Sequence, residues 1–240
     1  QYINKSNLSA DEKSAAIMTT RRFGRGILSE SIPSETQEKV RVRSAGDDAK
    51  GKLGLKRAEV TILDHPDGKG SGVTMAEGAT LDGFTITGVG QYDDGKWKKH
   101  HATQGNMQSH DHIGQPGTPG IEARHDCIVT NNIVHHIGYT GIGITGTKDR
   151  KISPRIIGNI CYRNMGGGIG SMAGSTALIE NNVCFENFYA GIGHNGASPI
   201  VRGNDCYRNE QYRGFGQAMP GRGGNFLIHI LSSCNSHVCN

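Results

Sequence analysis

Seven of the eleven histidines in this chain fall between His100 and His136, in company with lysines, acids and the only tryptophan. Imidazole is the side chain whose ordinary pKa lets it take up or release a proton near neutrality, and it is also a common metal ligand. Ser109-His110-Asp111-His112 puts two imidazoles beside a carboxylate, and His100-His101 stand close enough in sequence to complete a site. Transition metals favour imidazole and calcium favours oxygen, so His110, Asp111 and His112 are candidate ligands of a divalent metal, calcium or a transition metal. No standard motif such as H-E-x-x-H is present. A second group recurs at intervals: His135-His136, Tyr162-Arg163, Phe185-Glu186 and Tyr207-Arg208. Each pair joins a ring to a charge or to a proton carrier.

A repeat positions these pairs. With Asn132, Asn159, Asn182 and Asn204 at zero, Val129, Ile156, Ile179 and Val201 stand three residues earlier. Val134, Cys161, Cys184 and Cys206 stand two later. Ile137, Asn164, Asn187 and Asn209 follow at plus five, and a glycine-flanked apolar residue comes next: Ile142, Ile169, Ile192 and Phe215. The zero positions are 27, 23 and 22 residues apart, which suits a turn of three short strands and three bends, each coil burying its apolar face on its neighbours. A weaker copy places Leu81, Phe84 and Ile86 in the same register, with Gly120-Ile121 as its glycine element. Between its halves lies an insertion from Val89 to Pro119. A loop of that length inside a compact repeat is functional or disordered. Val60 to Leu63 and Val73 to Met75 read as strands of an earlier coil.

The register separates structure from chemistry. Asparagines at zero and plus five point inward and form ladders, each amide bonding its neighbours one coil above and below. Cys161, Cys184 and Cys206 share one inward position and act as small hydrophobes. In contrast, the pairs at plus three and plus four leave the strand for a bend and, with coils stacked about 4.8 Å apart, form a continuous ridge. The insertion departs at this bend and so brings Lys99, Trp97 and His101 toward His135 and His136. Trp97, Tyr162 and Tyr207 offer faces for sugar rings, and Lys99, Arg163 and Arg208 offer charge for carboxylates or sulfates. The same ridge also reads as a solvated edge, with Arg163 and Arg208 flanking Glu186 in an inter-coil salt bridge. The glycine pairs Gly141/Gly143, Gly168/Gly170 and Gly191/Gly193 imply a close approach by the chain itself or by a flat polymer.

This pattern, over about residues 55 to 217, resembles the right-handed parallel β-helix of the pectate-lyase-like superfamily. The resemblance implies an all-β, right-handed, single-stranded parallel β-helix of about 22 to 27 residues per coil. It also implies an extracellular or periplasmic location and an acidic polysaccharide as partner. In the lyases of that superfamily a metal or cation neutralises the uronate carboxylate while a Lys, Arg or His removes the α-proton. His136, Arg163, His101 and Lys99 are placed to take those parts, with Asp111, Glu122 or Glu186 as carboxylate ligands of the metal and Trp97, His135, Tyr162, Glu186, Tyr207 and Arg208 against substrate. The calcium-binding carboxylates of the pectate lyases and the paired aspartates of the polygalacturonases have no counterpart, and Asp93-Asp94 lies in the insertion. The alternative is a non-catalytic β-helix binding or surface module with a His-rich metal or partner site.

The remaining sequence sets the limits. Residues 1 to 54 read as an N-terminal cap and first strands, including a short helix from about Ala10 to Thr20 behind a capping box at Ser9 and a strand at Val40 to Val42. Residues 55 to 217 are the β-helix, and 218 to 240 a C-terminal cap or incomplete coil. A net charge of +4 favours anionic partners without singling out nucleic acid, for which no signature appears. No run of 18 apolar residues supports a membrane span, and a monomer is expected.

Overall fold

The computed structural model describes residues 40–65, 69–102, 118–147 and 149–209. The expected N-terminal helix, the run Phe226 to Leu231 and Cys234 and Cys239 lie outside them. Three-residue strands dominate: in the first two sheets the middle residue joins the core, and in the third the two outer residues do, as in Val73–Met75, Ile121–Ala123 and Ile142–Ile144, because successive side chains alternate between faces.

Three parallel sheets run the length of the stack. The first holds β1 (Arg41–Arg43), β4 (Thr80–Asp82), β7 (Ile128–Thr130), β10 (Arg155–Ile157), β13 (Leu178–Glu180) and β16 (Ile200–Arg202). The second holds β2 (Ile62–Asp64), β5 (Thr85–Thr87), β8 (Ile133–His135), β11 (Ile160–Tyr162), β14 (Val183–Phe185) and β17 (Asp205–Tyr207). The third holds β3 (Val73–Met75), β6 (Ile121–Ala123), β9 (Ile142–Ile144), β12 (Ile169–Met172) and β15 (Ile192–Asn195). This is an all-β parallel solenoid of about five turns, as the repeat requires. The weak upstream copy belongs to it, since Leu81 pairs with Val129, Ile86 with Val134 and Ile121 with Ile142. One expected strand starts late: Lys56–Val60 is a short helix, α1, and the strand is Ile62–Asp64. No helix among the described residues is long and apolar enough to cross a membrane.

Inside, the core is Leu81, Val129, Ile156 and Ile179 from the first sheet, Ile86 and Val134 with the three thiols from the second, and the isoleucines of the third. Cys161, Cys184 and Cys206 are buried and free, stacked in register. Two amide ladders brace the corners. The Asn132 side-chain NH2 donates to Asn159 Oδ1 at 3.1 Å, Asn159 to Asn182 at 3.0 Å and Asn182 to Asn204 at 2.9 Å. Asn164, Asn187 and Asn209 repeat this at the next bend. At the head of the first ladder, Phe84 occupies the zero position and its backbone N–H donates to Asn132 Oδ1.

The paired glycines divide into two sets. Gly141, Gly168 and Gly191 are buried between coils. A Cβ on Gly168 would stand 2.6 Å from the Gly191 carbonyl oxygen, and one on Gly191 2.6 Å from Asn209 Nδ2. A Cβ on Gly143 would stand 2.9 Å from the Pro119 Cβ, whereas one on Gly193 would meet, among the described residues, only Ala190, at 3.7 Å. Gly168→Ala is therefore expected to cost about 1–3 kcal/mol or more through overpacking, while Gly193→Ala gains up to about 1 kcal/mol from the less flexible unfolded chain. Denaturant unfolding of the two variants checks the contrast, and equal effects would refute it.

Candidate functional site

Every coil bends twice through the left-handed region around the second sheet. One residue before the zero position stand Gly83, Asn131, Gly158, Asn181 and Gly203, all with positive φ. Four residues after it stand Gly88, His136, Arg163, Glu186 and Arg208, again all with positive φ. Glycine and asparagine are the residues that enter this region cheaply, and the first row uses nothing else. In the second row only the first coil uses glycine. The next four hold His, Arg, Glu and Arg there, each carrying a backbone strain of about 1 kcal/mol or more.

Immediately before that row, the last residues of the second-sheet strands stack. Tyr162 lies on Phe185 with centroids 4.9 Å apart and planes 2° from parallel, and Phe185 lies on Tyr207 at 5.1 Å and 3°. His135 covers the other side of Tyr162 at 4.9 Å. The rings therefore spend their faces on one another, and Tyr162 has none left for a sugar. Tyr207 is the last ring of the stack among the described residues, none of which stacks on its face away from Phe185.

The insertion corrects the sequence reading further. Past Val89 the chain crosses the stack at Gly90, against Gly138, where any side chain on Gly138 would strike the Gln91 backbone. It then forms helix α2, Asp94–Ala102. Asp93 accepts the backbone N–H of Lys96 at 2.9 Å, a side-chain cap, and Asp94 pairs with Lys98 four residues on. These two aspartates thus start a helix. Trp97 is 5% exposed and packs with Met165 and Phe188 in a cluster apart from the coil interior. Its Nε1–H donates to the Glu186 carbonyl at 3.0 Å, the Arg163 guanidinium carbon lies 4.8 Å from its centroid, and His101 stacks on it at 4.8 Å. Trp97 is consequently the anchor of the insertion and presents no open platform.

His135 and His136 meet through their Nδ1 atoms at 2.7 Å, so one ring donates and the other accepts. Thr87 Oγ1 lies 3.4 Å from the same His135 nitrogen. Tyr92, which the sequence reading missed, sets its ring edge-on to His136 at 4.6 Å, and its hydroxyl donates to Asp94. The signal available for this docking was the apolar pair Met165 and Phe188 at plus six, outward positions that require a cover. Glu186 accepts Arg163 Nε at 3.2 Å and Arg208 Nη1 at 3.4 Å, which is the inter-coil salt bridge of the alternative reading. Of the other candidates, Lys99 is exposed on α2 and Glu122 pairs with Arg124 at 2.7 Å. His110, Asp111 and His112 lie outside the described residues. Among the described residues no three His, Cys, Asp or Glu side chains gather to hold a metal.

Residues 103–238, more than half of the chain, match the profile of the right-handed beta helix region family. The chain belongs to that family. No curated protein and no solved structure matches it. Within this β-helix protein, burial and then the neighbouring His136 push His135 down to about 4 from an ordinary 6.5. His136 is also lowered, by burial first and Arg163 second, with Asp94 opposing. Both imidazoles are therefore neutral at neutral pH.

The sign of the linkage follows from this. Below about 6.5 the unfolded β-helix protein protonates His135, while the folded one resists until about 4, so stability is complete above the first value and lost toward the second. The loss amounts to roughly 3 kcal/mol, and His136 adds to it in the same direction. Denaturant midpoints are expected to fall between pH 7 and about pH 4.5. His135→Phe, which continues the ring stack, should flatten that dependence, and an equally steep variant would refute the assignment.

Proposed function

We propose that this protein acts on an acidic, uronate-containing polysaccharide by lyase-type proton abstraction. The observation that carries the reading is the strained row His136, Arg163, Glu186 and Arg208, where the preceding coil uses glycine. Strain of this kind concentrates where side chains are needed for function. The pectate-lyase-like resemblance supports the substrate class and an extracellular or periplasmic location. In the tautomer in which His136 donates its Nδ1–H to His135 Nδ1, the neutral His136 ring has an unprotonated Nε2 as the base for the proton α to the uronate carboxylate. Arg163 offsets the charge that develops on that carboxylate. The C–H electron pair becomes the new C=C bond, the C–O bond to the departing sugar breaks, and its oxygen takes a proton from solvent.

Incubation with a panel of uronate polymers, with and without added divalent cations, is expected to generate the ultraviolet absorbance of the unsaturated product. A flat trace throughout sinks the lyase reading. One observation favours the second reading, a non-catalytic binding module: Glu186 already satisfies both arginines. Polymer affinity without product, lost on replacing either His136 or Arg163, would select it.

A further inference from the structure

We infer that Trp97 is the positioning residue of this site, holding Arg163 at the place from which its charge acts on His136. The inference rests on His136 and Arg163 being the working pair. Arg163 leaves its coil on a left-handed residue at the bend and is 39% exposed, so without a second support its long side chain is free to sample solvent. Two contacts restrain it, the Trp97 ring on one side and Glu186 on the other. Trp97 reaches both partners at once, because its Nε1–H is bonded to the Glu186 backbone while its ring lies under the Arg163 guanidinium. Its own place is fixed by Met165 and Phe188, which belong to the same two coils as Arg163 and Glu186. A cation over a partly desolvated indole gains about 0.5–2 kcal/mol, enough to decide between docked and solvated positions of an arginine.

Among the described residues, five groups face His136. His135 shares its Nδ1 contact, Tyr162 lies edge-on at 6.3 Å, Tyr92 and Asp94 come from the insertion, and Arg163 comes from the next coil. Arg163 opposes protonation of His136 and Asp94 favours it. Releasing Arg163 therefore moves the His136 midpoint up.

The test follows the His136 titration by NMR in the full chain. Trp97→Leu and Arg163→Gln are each expected to raise the midpoint, and the double variant to match Arg163→Gln alone, since Trp97 acts through Arg163. Trp97→Phe keeps a ring under the guanidinium and should lie near wild type. Additive shifts in the double variant, or no shift in Trp97→Leu, overturn the inference. Trp97 is the sole tryptophan, so its emission supplies a second measurement should Trp97→Leu fail to fold. Arg163→Gln is expected to shift that emission while acrylamide quenching stays low, and an unchanged spectrum overturns the contact. The two claims fail separately. Absence of unsaturated product defeats the lyase reading while the double-variant titration still decides the role of Trp97. Where product does form, Trp97→Leu should lower kcat more than it raises KM, and a change in KM alone counts against positioning.

Discussion

Replacing Asn159 with alanine is expected to lower the free energy of unfolding by about 3–5 kcal/mol, a large fraction of what a domain of this size holds. The Asn159 side chain accepts from the Asn132 backbone N–H at 3.0 Å and from the Asn132 amide at 3.1 Å. It donates to the Val129 carbonyl at 2.9 Å and to Asn182 Oδ1 at 3.0 Å. All of this lies in fully buried surroundings, with Asn132, Asn159 and Asn182 at 0% exposure. Alanine leaves a backbone donor and a backbone acceptor without partners, and each orphaned buried group costs about 1–3 kcal/mol. Asn159→Asp fails for a second reason, because a carboxylate cannot donate to Val129 and would bury a charge. Asn181 is the control. It is exposed, has φ of 54° and occupies the bend one residue before the ladder. Asn181→Gly should change stability by only a few tenths of a kcal/mol, as glycine suits that conformation. Guanidinium unfolding gives both numbers. A loss below about 1 kcal/mol for Asn159→Ala would mean that water or a neighbour takes over the ladder.

The second large effect concerns rate. With a uronate polymer as substrate, His136→Gly is expected to lower product formation by about 10²–10⁴, the range that a positioned general base contributes. Glycine is the informative substitution, since His136 has φ of 53° and the equivalent Gly88 has φ of 75°. It removes the imidazole while relieving backbone strain, whereas alanine would keep the strain. Arg163→Gly, at φ of 50°, applies the same logic to the carboxylate partner. Both variants should fold, as judged by circular dichroism and unfolding midpoint, which separates lost chemistry from lost structure. A fall of less than tenfold with either variant removes that residue from the mechanism.

The repeat was legible residue by residue. Inward positions repeat with the coil, and burial forces a narrow choice at each: an aliphatic at minus three, an asparagine or its substitute at zero, a thiol, valine or isoleucine at plus two. Even Phe84, where no asparagine marks the coil, was assigned to the position it holds. The site was legible in part. His135, His136, Tyr162, Arg163, Phe185, Glu186, Tyr207 and Arg208 do form one ridge, because their places follow from the same register. Their relations did not follow. That the rings stack face to face, so that Tyr162 offers no platform, depends on side-chain torsions that spacing does not specify. That Trp97 is buried, with Tyr92 against His136, depends on where an irregular insertion comes to rest.

By itself the sequence determined the all-β solenoid, its coil length, its buried amide and thiol ladders and the row of residues along one edge. These are periodic properties, and a period of this kind has one compact solution in which successive coils cover one another. Only the tertiary structure decided the left-handed conformation of His136, Arg163, Glu186 and Arg208, the pairing of the two imidazoles, and the course of the insertion across the bends of several coils. Those features arise from contacts between residues as far apart as Trp97 and Glu186, 89 positions along the chain. No local pattern encodes such a contact. It is set by which apolar surface, here Met165 and Phe188, the solenoid leaves uncovered once its coils are stacked.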